Sequence, residues 1–188
     1  NGAISLKYEL PVKGLSIDGK VALNSFNQIN NRFDNEFEVW SYDYENQILS
    51  SAGHIGQKSI RKQSYRSQSV ITQLALRYNQ TFNDHNVSGL LLNEMINEQE
   101  DNFWASRNEV ISGTLPYLFA GNVETQLNGD YIFEDGRQSL VGRLNYGFKS
   151  KYLAELSFRY DGSPRFPKDK RWGFFPGVSV GWRISEES

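Results

Sequence analysis

The chain has 188 residues, of which 38% are hydrophobic and 22% charged, and it carries a formal net charge of −2 and no cysteine. A nearly neutral chain lacks the clustered basic excess of a nucleic-acid-binding protein. Without cysteine there can be no disulfide, thiolate metal site or cysteine nucleophile. No apolar run approaches the roughly 18 residues that a membrane helix needs, although the length suffices for one domain.

Alternation of apolar and polar residues begins at the first residues of the chain. Ile4, Leu6 and Tyr8 share one face of a predicted strand, residues 11–14 form a short turn, and the apolar face resumes over residues 15–23. This pattern predicts a β-hairpin. No charged n-region, apolar h-region or cleavage site precedes it, so we expect the chain to be an internal piece of a longer protein.

The next stretch is aromatic and then polar. Residues 37–44 predict a strand that carries Trp40, Tyr42 and Tyr44, and residues 45–63 predict a surface loop. Alternation over residues 64–82 predicts a strand longer than the roughly 9 to 11 residues that cross a bilayer. Residues 83–86 predict a tight turn rich in Asn and Asp.

The central part of the chain is harder to interpret. Residues 87–96 predict a strand whose faces are blurred, because Leu90, Leu92 and Ile96 interrupt the alternation. Residues 97–136 show no sustained period and contain the neighbouring aromatic residues Phe103 and Trp104. Long connections without a strand pattern are functional or disordered, so we predict a long connection here.

Three alternating runs organise the last third of the chain. Their apolar faces consist of Leu140, Leu144, Tyr146 and Phe148 in the first run, Tyr152, Ala154, Leu156, Phe158 and Tyr160 in the second, and Val178, Val180, Trp182 and Ile184 in the third. A short turn at 149–151 joins the first two, and a long charged connection at 162–171 precedes the third. Such a pattern is typical either of a soluble sheet over a core or of a membrane barrel with a polar lumen.

The order of motifs in this part resembles the barrel of SusC/RagA-type TonB-dependent outer-membrane receptors. The matching text is the loop from Phe158 to Phe166, Arg-Trp-Gly-Phe-Phe-Pro at 171–176 and Gly-Trp-Arg-Ile-Ser at 181–185. Pro164 and Gly147 depart from it, since polar residues are usual there. Looser similarity at residues 102–107 and 119–121 implies an extracellular loop with short helical turns.

The resemblance implies an all-β fold, in which residues 1–188 form about seven strands of an antiparallel up-and-down transmembrane β-barrel. A barrel of this class has about 22 strands, so the plug domain and the closing strands would lie outside the chain. It further implies TonB-dependent uptake of oligosaccharides or peptides across the outer membrane of a Gram-negative bacterium. The implied partners are membrane lipid, a SusD-like surface lipoprotein and TonB, the last through parts outside this chain.

Residue types that carry catalysis or bind metal do not form a recognisable set. The chain has no Gly-x-Ser-x-Gly motif, and His54 and His85 fall in separate predicted loops without zinc spacing. Glu98, Glu100 and Asp101 lack the spacing of a calcium loop. The sequence therefore predicts no enzyme, cofactor or metal site.

Five aromatic residues are the candidates for contact with a ligand or partner, because flat rings stack on sugars and anchor interfaces. These candidates are Trp40, Tyr42, Tyr44, Phe103 and Trp104. Membrane barrels also collect aromatic residues at their two interfaces, which is the competing interpretation. The rival for the whole chain is a soluble β-sandwich that binds carbohydrate.

Overall fold

The computed structural model describes residues 1–187 as strands joined by turns and short 3-10 helices. The strands are β1 (Gly2–Glu9), β2 (Leu15–Asp34), β3 (Phe37–Asp43), β4 (Ile48–Ile55), β5 (Ser59–Phe82), β6 (His85–Asn108), β7 (Leu127–Phe148), β8 (Tyr152–Gly162) and β9 (Trp172–Trp182). The 3-10 helices are Leu118–Ala120, Val123–Thr125, Lys168–Lys170 and Ile184–Glu186. No helix within residues 1–187 has the length and apolar character needed to cross a membrane.

Seven strands form one sheet in the order β1-β2-β5-β6-β7-β8-β9, and β3 pairs with β4 in a separate two-stranded sheet. The strand pairs β1–β2, β7–β8 and β8–β9 are antiparallel. Neighbours in the larger sheet follow chain order, apart from the β3–β4 hairpin between β2 and β5. The prediction of about seven antiparallel strands in an up-and-down arrangement is therefore confirmed.

The described chain divides into two compact units. The first comprises Asn1–Ser25, Gln68–Gln99 and Glu134–Ser188, and the second comprises Phe26–Ser67 and Glu100–Phe133. The second unit contains the β3–β4 hairpin and a small apolar cluster of Ile60, Val110 and Ala120, against which Phe33 and Leu118 pack. This cluster lies where the start of β5 meets the connection between β6 and β7.

Strand register in the first unit keeps like residues in rows across the sheet. One row pairs Leu144 with Leu156 and Leu156 with Val178. The row beside it, displaced by one residue on β8, pairs Asn145 with Glu155 and places Ser179 opposite Glu155. Because successive side chains point to opposite faces, this register separates an apolar face from a polar face over the whole width of β7–β9.

The short turns lie side by side at one end of the first unit. The amide of Asn79 donates to the carbonyl of Gly14 over 2.8 Å, and the amide of Lys149 donates to the carbonyl of Asp84 over 2.7 Å. Gly14 has a φ of +81°, and a Cβ there would lie 2.2 Å from the Asn79 oxygen, so the approach requires glycine. The three predicted short turns thus lie at the same end of the strands.

Two predicted loops are wrong over part of their length. The loop predicted at 45–63 contains β4 and the start of β5, and the connection predicted at 97–136 is strand up to Asn108 and again from Leu127. In these segments polar residues occupy both strand faces, so the backbone continues its ladder although the hydropathy period disappears. The resemblance also implies short helical turns in this connection, and the structure has 3-10 helices there at Leu118–Ala120 and Val123–Thr125.

Smaller expectations also need correction. Ile184 does not extend the apolar face of β9, because the strand ends at Trp182 and Ile184 begins a 3-10 helix. His54 and His85 lie on β4 and β6 rather than in loops. The Nδ1 atom of His85 lies 2.7 Å from the Tyr146 hydroxyl oxygen, so this imidazole is tied to the neighbouring strand.

Candidate functional site

The apolar face of the first unit is largely exposed. Val178 and Val180, in the middle of β9, are 75% and 84% exposed. By contrast, the buried apolar side chains within residues 1–187 are only Ile60, Ala75, Val110 and Ala120. A water-soluble sandwich of this size would bury the inner faces of two packed sheets, so this face is built for an apolar environment that the described residues do not supply.

Aromatic rows border this face at both ends of the strands. At the turn end, the register aligns Phe148 with Tyr152 and Tyr152 with Trp182. At the other end, the rings of Tyr160 and Trp172 stack with centroids 4.8 Å apart. The residues between the two rows are mainly aliphatic, with Tyr146 and Phe158 among them.

The distance between the rows matches the apolar part of a bilayer. Tyr152 and Tyr160 are eight residues apart on β8, which is about 27 Å along a strand at ~3.4 Å per residue. A strand tilt of about 40° reduces this to roughly 21 Å, close to the ~25 Å apolar band of outer-membrane barrels. The face therefore has the dimensions of a lipid contact flanked by interfacial aromatic girdles.

The opposite face of the same unit is polar and cross-linked between strands. Arg77 on β5 forms an ion pair of 2.9 Å with Asp18 on β2. Arg143 on β7 lies 3.7 Å from Glu155 on β8. Exposed ion pairs of this kind contribute at most about 1 kcal/mol each, so their main effect is to keep this face polar.

The structure settles the faces of β6, which the sequence left blurred. Leu91 and Met95 are exposed. Leu92 and Ile96 are half-buried, and Ile96 lines a cavity together with Glu94 and residues of the polar face of β7 and β8. The apolar residues that interrupted the alternation are therefore those that pack on the polar face.

An ion pair between an exposed arginine and a buried aspartate fastens the β8–β9 connection to β7. A guanidinium nitrogen of Arg165 lies 2.8 Å from Oδ2 of Asp135, whose side chain is only 3% exposed. Burial by itself raises the pKa of the Asp135 carboxyl, but hydrogen bonds from Arg165 and from the Gly136 amide, together with the positive charges of Arg165 and Arg137, lower it further. The net pKa lies below the ordinary value, so Asp135 is ionised at neutral pH.

The five aromatic candidates lie in the second unit but do not form one cluster. Tyr42 and Tyr44 meet edge to face at 4.9 Å, and Trp40 precedes them on the same hairpin, where it is 54% exposed. Phe103 and Trp104 are consecutive on β6 and so point to opposite faces. No ring contact within residues 1–187 joins the hairpin to either of them.

Trp104 is already engaged within the second unit. The guanidinium of Arg61 lies 4.1 Å from the centre of its ring, and a Cβ built on Gly129 would lie 3.0 Å from the indole nitrogen. Phe103, in contrast, is half exposed. A packing role therefore accounts for Trp104, whereas Trp40, Tyr42, Tyr44 and Phe103 keep accessible surface.

Known proteins with similar sequences include TonB-dependent receptors. TonB-dependent receptor P39 of Formosa agariphila is 39% identical over 118 residues, which is 59% of this chain. TonB-dependent receptor SusC of Bacteroides thetaiotaomicron is 52% identical over 50 residues, or 27% of this chain. The chain is homologous to SusC-type TonB-dependent receptors. It spans only 11% of P39 and 5% of SusC, and no protein-family model matches it.

Solved receptor structures share the fold of this chain. The RagAB peptide importer in its closed-closed state matches with a TM-score of 0.78 and 23% identity over 95% of the segment, which is 19% of the importer chain. Its open-open state matches with a TM-score of 0.77. The fold is therefore that of part of such a receptor β-barrel, and the soluble sandwich considered from the sequence is not favoured.

Sequence reasoning also missed a set of residues in this receptor segment. Arg137, Arg159 and Lys170 line one cavity on the polar face, although 33 positions separate the first from the last in the sequence. The long charged connection at 162–171 includes Arg165, whose guanidinium forms an ion pair with Asp135 on β7. Alternation identifies which residues share a face, but only strand register brings them together.

Proposed function

We propose that this receptor segment is part of the wall of a closed β-barrel in the outer membrane of a Gram-negative bacterium. Its apolar face contacts lipid, and its polar face lines the barrel interior. The observation that supports this most strongly is the uncovered aliphatic band between two aromatic rows. A membrane barrel is the setting in which such a face is stable.

The whole protein, on this proposal, imports nutrients too large for porins, such as oligosaccharides or peptides, and is not an enzyme. Import passes through a barrel closed by a plug domain and is driven by the TonB system. A SusD-like lipoprotein covers the outer opening. The plug, the TonB contact and the remaining strands belong to the protein outside residues 1–188, and the names of the homologous receptors support this assignment.

Growth of the native bacterium tests the transport function. Deleting the gene should abolish growth on a set of oligosaccharides or peptides above the porin size limit and leave growth on their monomers unchanged. Deleting the TonB protein should cause the same defect for the same solutes. Normal growth on every large solute in both strains would contradict the proposed function.

The accessible aromatic residues of the second unit are proposed to contact ligand or the surface lipoprotein, with Trp40, Tyr42 and Tyr44 as the main group and Phe103 as a further contact. Tyr44 is 85% exposed and lies at the hairpin turn, and aromatic residues with free surface are typical interface anchors. Trp104 is also among the predicted contacts, but its proposed role is packing, because the Arg61 guanidinium lies over its ring.

Copurification tests this contact. Replacing Trp40 and Tyr44 together with Ala should reduce the amount of surface lipoprotein, or of bound substrate, that copurifies with the tagged receptor by at least fivefold. Ile48→Ala is the matched control, because Ile48 is also exposed but lies opposite Asp43, one residue out of phase with Tyr42. Equal copurification from both variants would contradict the assignment.

A further inference from the structure

A cavity of about 440 Å³ lies against the polar face of the first unit, where the strands meet the β8–β9 connection. Arg137, Arg159 and Phe175 contribute to its wall from β7, β8 and β9, and Phe166 and Lys170 contribute from the connection. All of its lining residues belong to the first unit. It is therefore a local feature of one compact body.

The connection that forms one side of the cavity is fixed in place. The amide of Ser163 donates to the carbonyl of Arg171 over 3.0 Å, which closes the base of the connection. Nε of Arg171 donates to the carbonyl of Phe166 over 3.1 Å. The ion pair between Arg165 and the buried Asp135 then holds this closed segment to β7. The cavity is thus preformed, which lowers the entropic cost of binding a ligand.

The charges that line the cavity leave an excess of positive charge. The four cationic side chains are Arg137, Arg159, Lys170 and Arg171, and the two acidic ones are Glu94 and Asp161. Arg159 already holds Asp161 through two contacts of 3.1 and 3.2 Å. Glu94 accepts a hydrogen bond from the Gln73 amide, and its negative charge acts on Arg159.

Arg137 forms an ion pair with Glu98, so Lys170 and Arg171 are the lining cations without a carboxylate partner within residues 1–187. The Lys170 ammonium group has no hydrogen-bond or ion-pair partner there, and Lys170 lies at the end of the 3-10 helix Lys168–Lys170. Phe166 and Phe175, both more than half exposed, provide apolar surface in the same cavity. A cation next to exposed rings suits a ligand that combines an anionic group with an apolar body.

We propose that this cavity binds a carboxylate of the imported solute, with Lys170 and Arg171 contacting the carboxylate and Phe166 and Phe175 contacting the adjacent ring or aliphatic chain. This rests on the proposed function, because the polar face must line the import path. The carboxylate can belong to an acidic sugar or to a peptide. In either case the cavity selects for acidic solutes.

Isothermal titration of the purified full-length receptor in detergent tests the proposal with two matched pairs of probes. One pair is trigalacturonate and its neutral counterpart galactotriose, and the other is the C-terminally amidated peptide Phe-Glu-Glu-NH2 and its carboxylate-free counterpart Phe-Gln-Gln-NH2. The acidic member of at least one pair should bind at least tenfold more tightly than its partner. The responding pair identifies the source of the carboxylate.

Variants then assign the preference to the cavity. Lys170→Gln should weaken binding of the acidic probe about five- to tenfold, since a charge-assisted hydrogen bond is lost, and Lys170→Arg should retain it. Lys168→Gln is the matched control, because Lys168 belongs to the same 3-10 helix and does not line the cavity; it should change binding less than twofold. Higher salt should weaken acidic binding in wild type more than in Lys170→Gln.

The proposal is overturned if neither acidic probe is preferred, or if Lys170→Gln and Lys168→Gln bind alike. A carboxylate of the plug domain that occupied the cavity would give the second result. Failure of the cavity proposal is distinguishable from failure of the barrel proposal, because lipid contact at positions 179 and 180 can be measured independently by fluorescence quenching. A correct lipid contrast there with unchanged binding in Lys170→Gln rejects only the cavity assignment.

Discussion

Val180 and Ser179 are adjacent residues whose proposed environments differ completely. Val180 is 84% exposed on the apolar face, whereas Ser179 is paired with Glu155 on the polar face. Val178 lies on the same face in the row midway between the two aromatic rows, so Val178→Arg should destabilise the folded full-length barrel by about 2 to 4 kcal/mol, the cost of a charge near the bilayer midplane, and Val180→Arg should cost less because it lies closer to the interface. Ser179→Arg should cost much less than Val178→Arg, because Glu155 and water are nearby. Urea unfolding in lipid vesicles measures all three, and equal losses for Val178→Arg and Ser179→Arg would contradict the facing.

Gly142 allows a close approach between two strands on the apolar face. It lies opposite Phe158, and a Cβ at this position would lie 2.1 Å from an atom of the phenyl ring. Gly142→Ala forces the ring to move, and overpacking of this kind typically costs about 1 to 3 kcal/mol. The same unfolding assay should show this loss.

Gly19→Ala is the control for Gly142→Ala. Gly19 also lies within a strand, but a Cβ there would have no atom within 4 Å. Alanine at this position should be neutral or slightly stabilising, because it restricts the unfolded chain. If the two alanine variants had equal stability, the packing of Phe158 over Gly142 would not matter in the membrane.

The connections between strands predict which side of the membrane each end faces. Outer-membrane barrels keep short turns in the periplasm and long loops outside, and the three short turns of this segment lie at the same end of the strands. An epitope inserted between residues 113 and 114, in the connection after β6, should be labelled by antibody on intact cells. An epitope inserted at Ser150 should be labelled only after the outer membrane is permeabilised. The reverse result would invert the topology.

At the same scale, the hydropathy pattern predicts strands only where their two faces have different environments. It predicts β8 closely, because apolar and polar neighbours alternate from Tyr152 to Asp161. It fails at the end of β6, where polar residues occur on both faces although the strand continues to Asn108. Successive residues of a strand point to opposite faces, so Phe103 and Trp104, which are consecutive on β6, cannot belong to one site. The sequence does not reveal this, because the stretch around them shows no regular alternation of apolar and polar residues. The cavity depends on register between distant strands, which one sequence does not reveal.

Taken as a whole, residues 1–188 lack what the proposed barrel provides. β1 and β9 are the two edges of the seven-stranded sheet, and open edges pair with other chains. The exposed aliphatic band adds a large apolar surface that favours association in water. The segment expressed alone should therefore aggregate, as measured by size-exclusion chromatography without detergent. A monodisperse monomer with a cooperative urea transition would contradict the barrel interpretation.

The most direct test of the central claim, that one face of this sheet contacts lipid and the other lines the barrel interior, is fluorescence quenching at two adjacent positions. The segment contains no cysteine, so single cysteines at 179 and 180 can be labelled in the full-length receptor after any other cysteines are removed. In vesicles with brominated lipid, a fluorophore at 180 should be strongly quenched and one at 179 should not. A water-soluble quencher should give the opposite order. Equal quenching of both positions by brominated lipid would contradict the account.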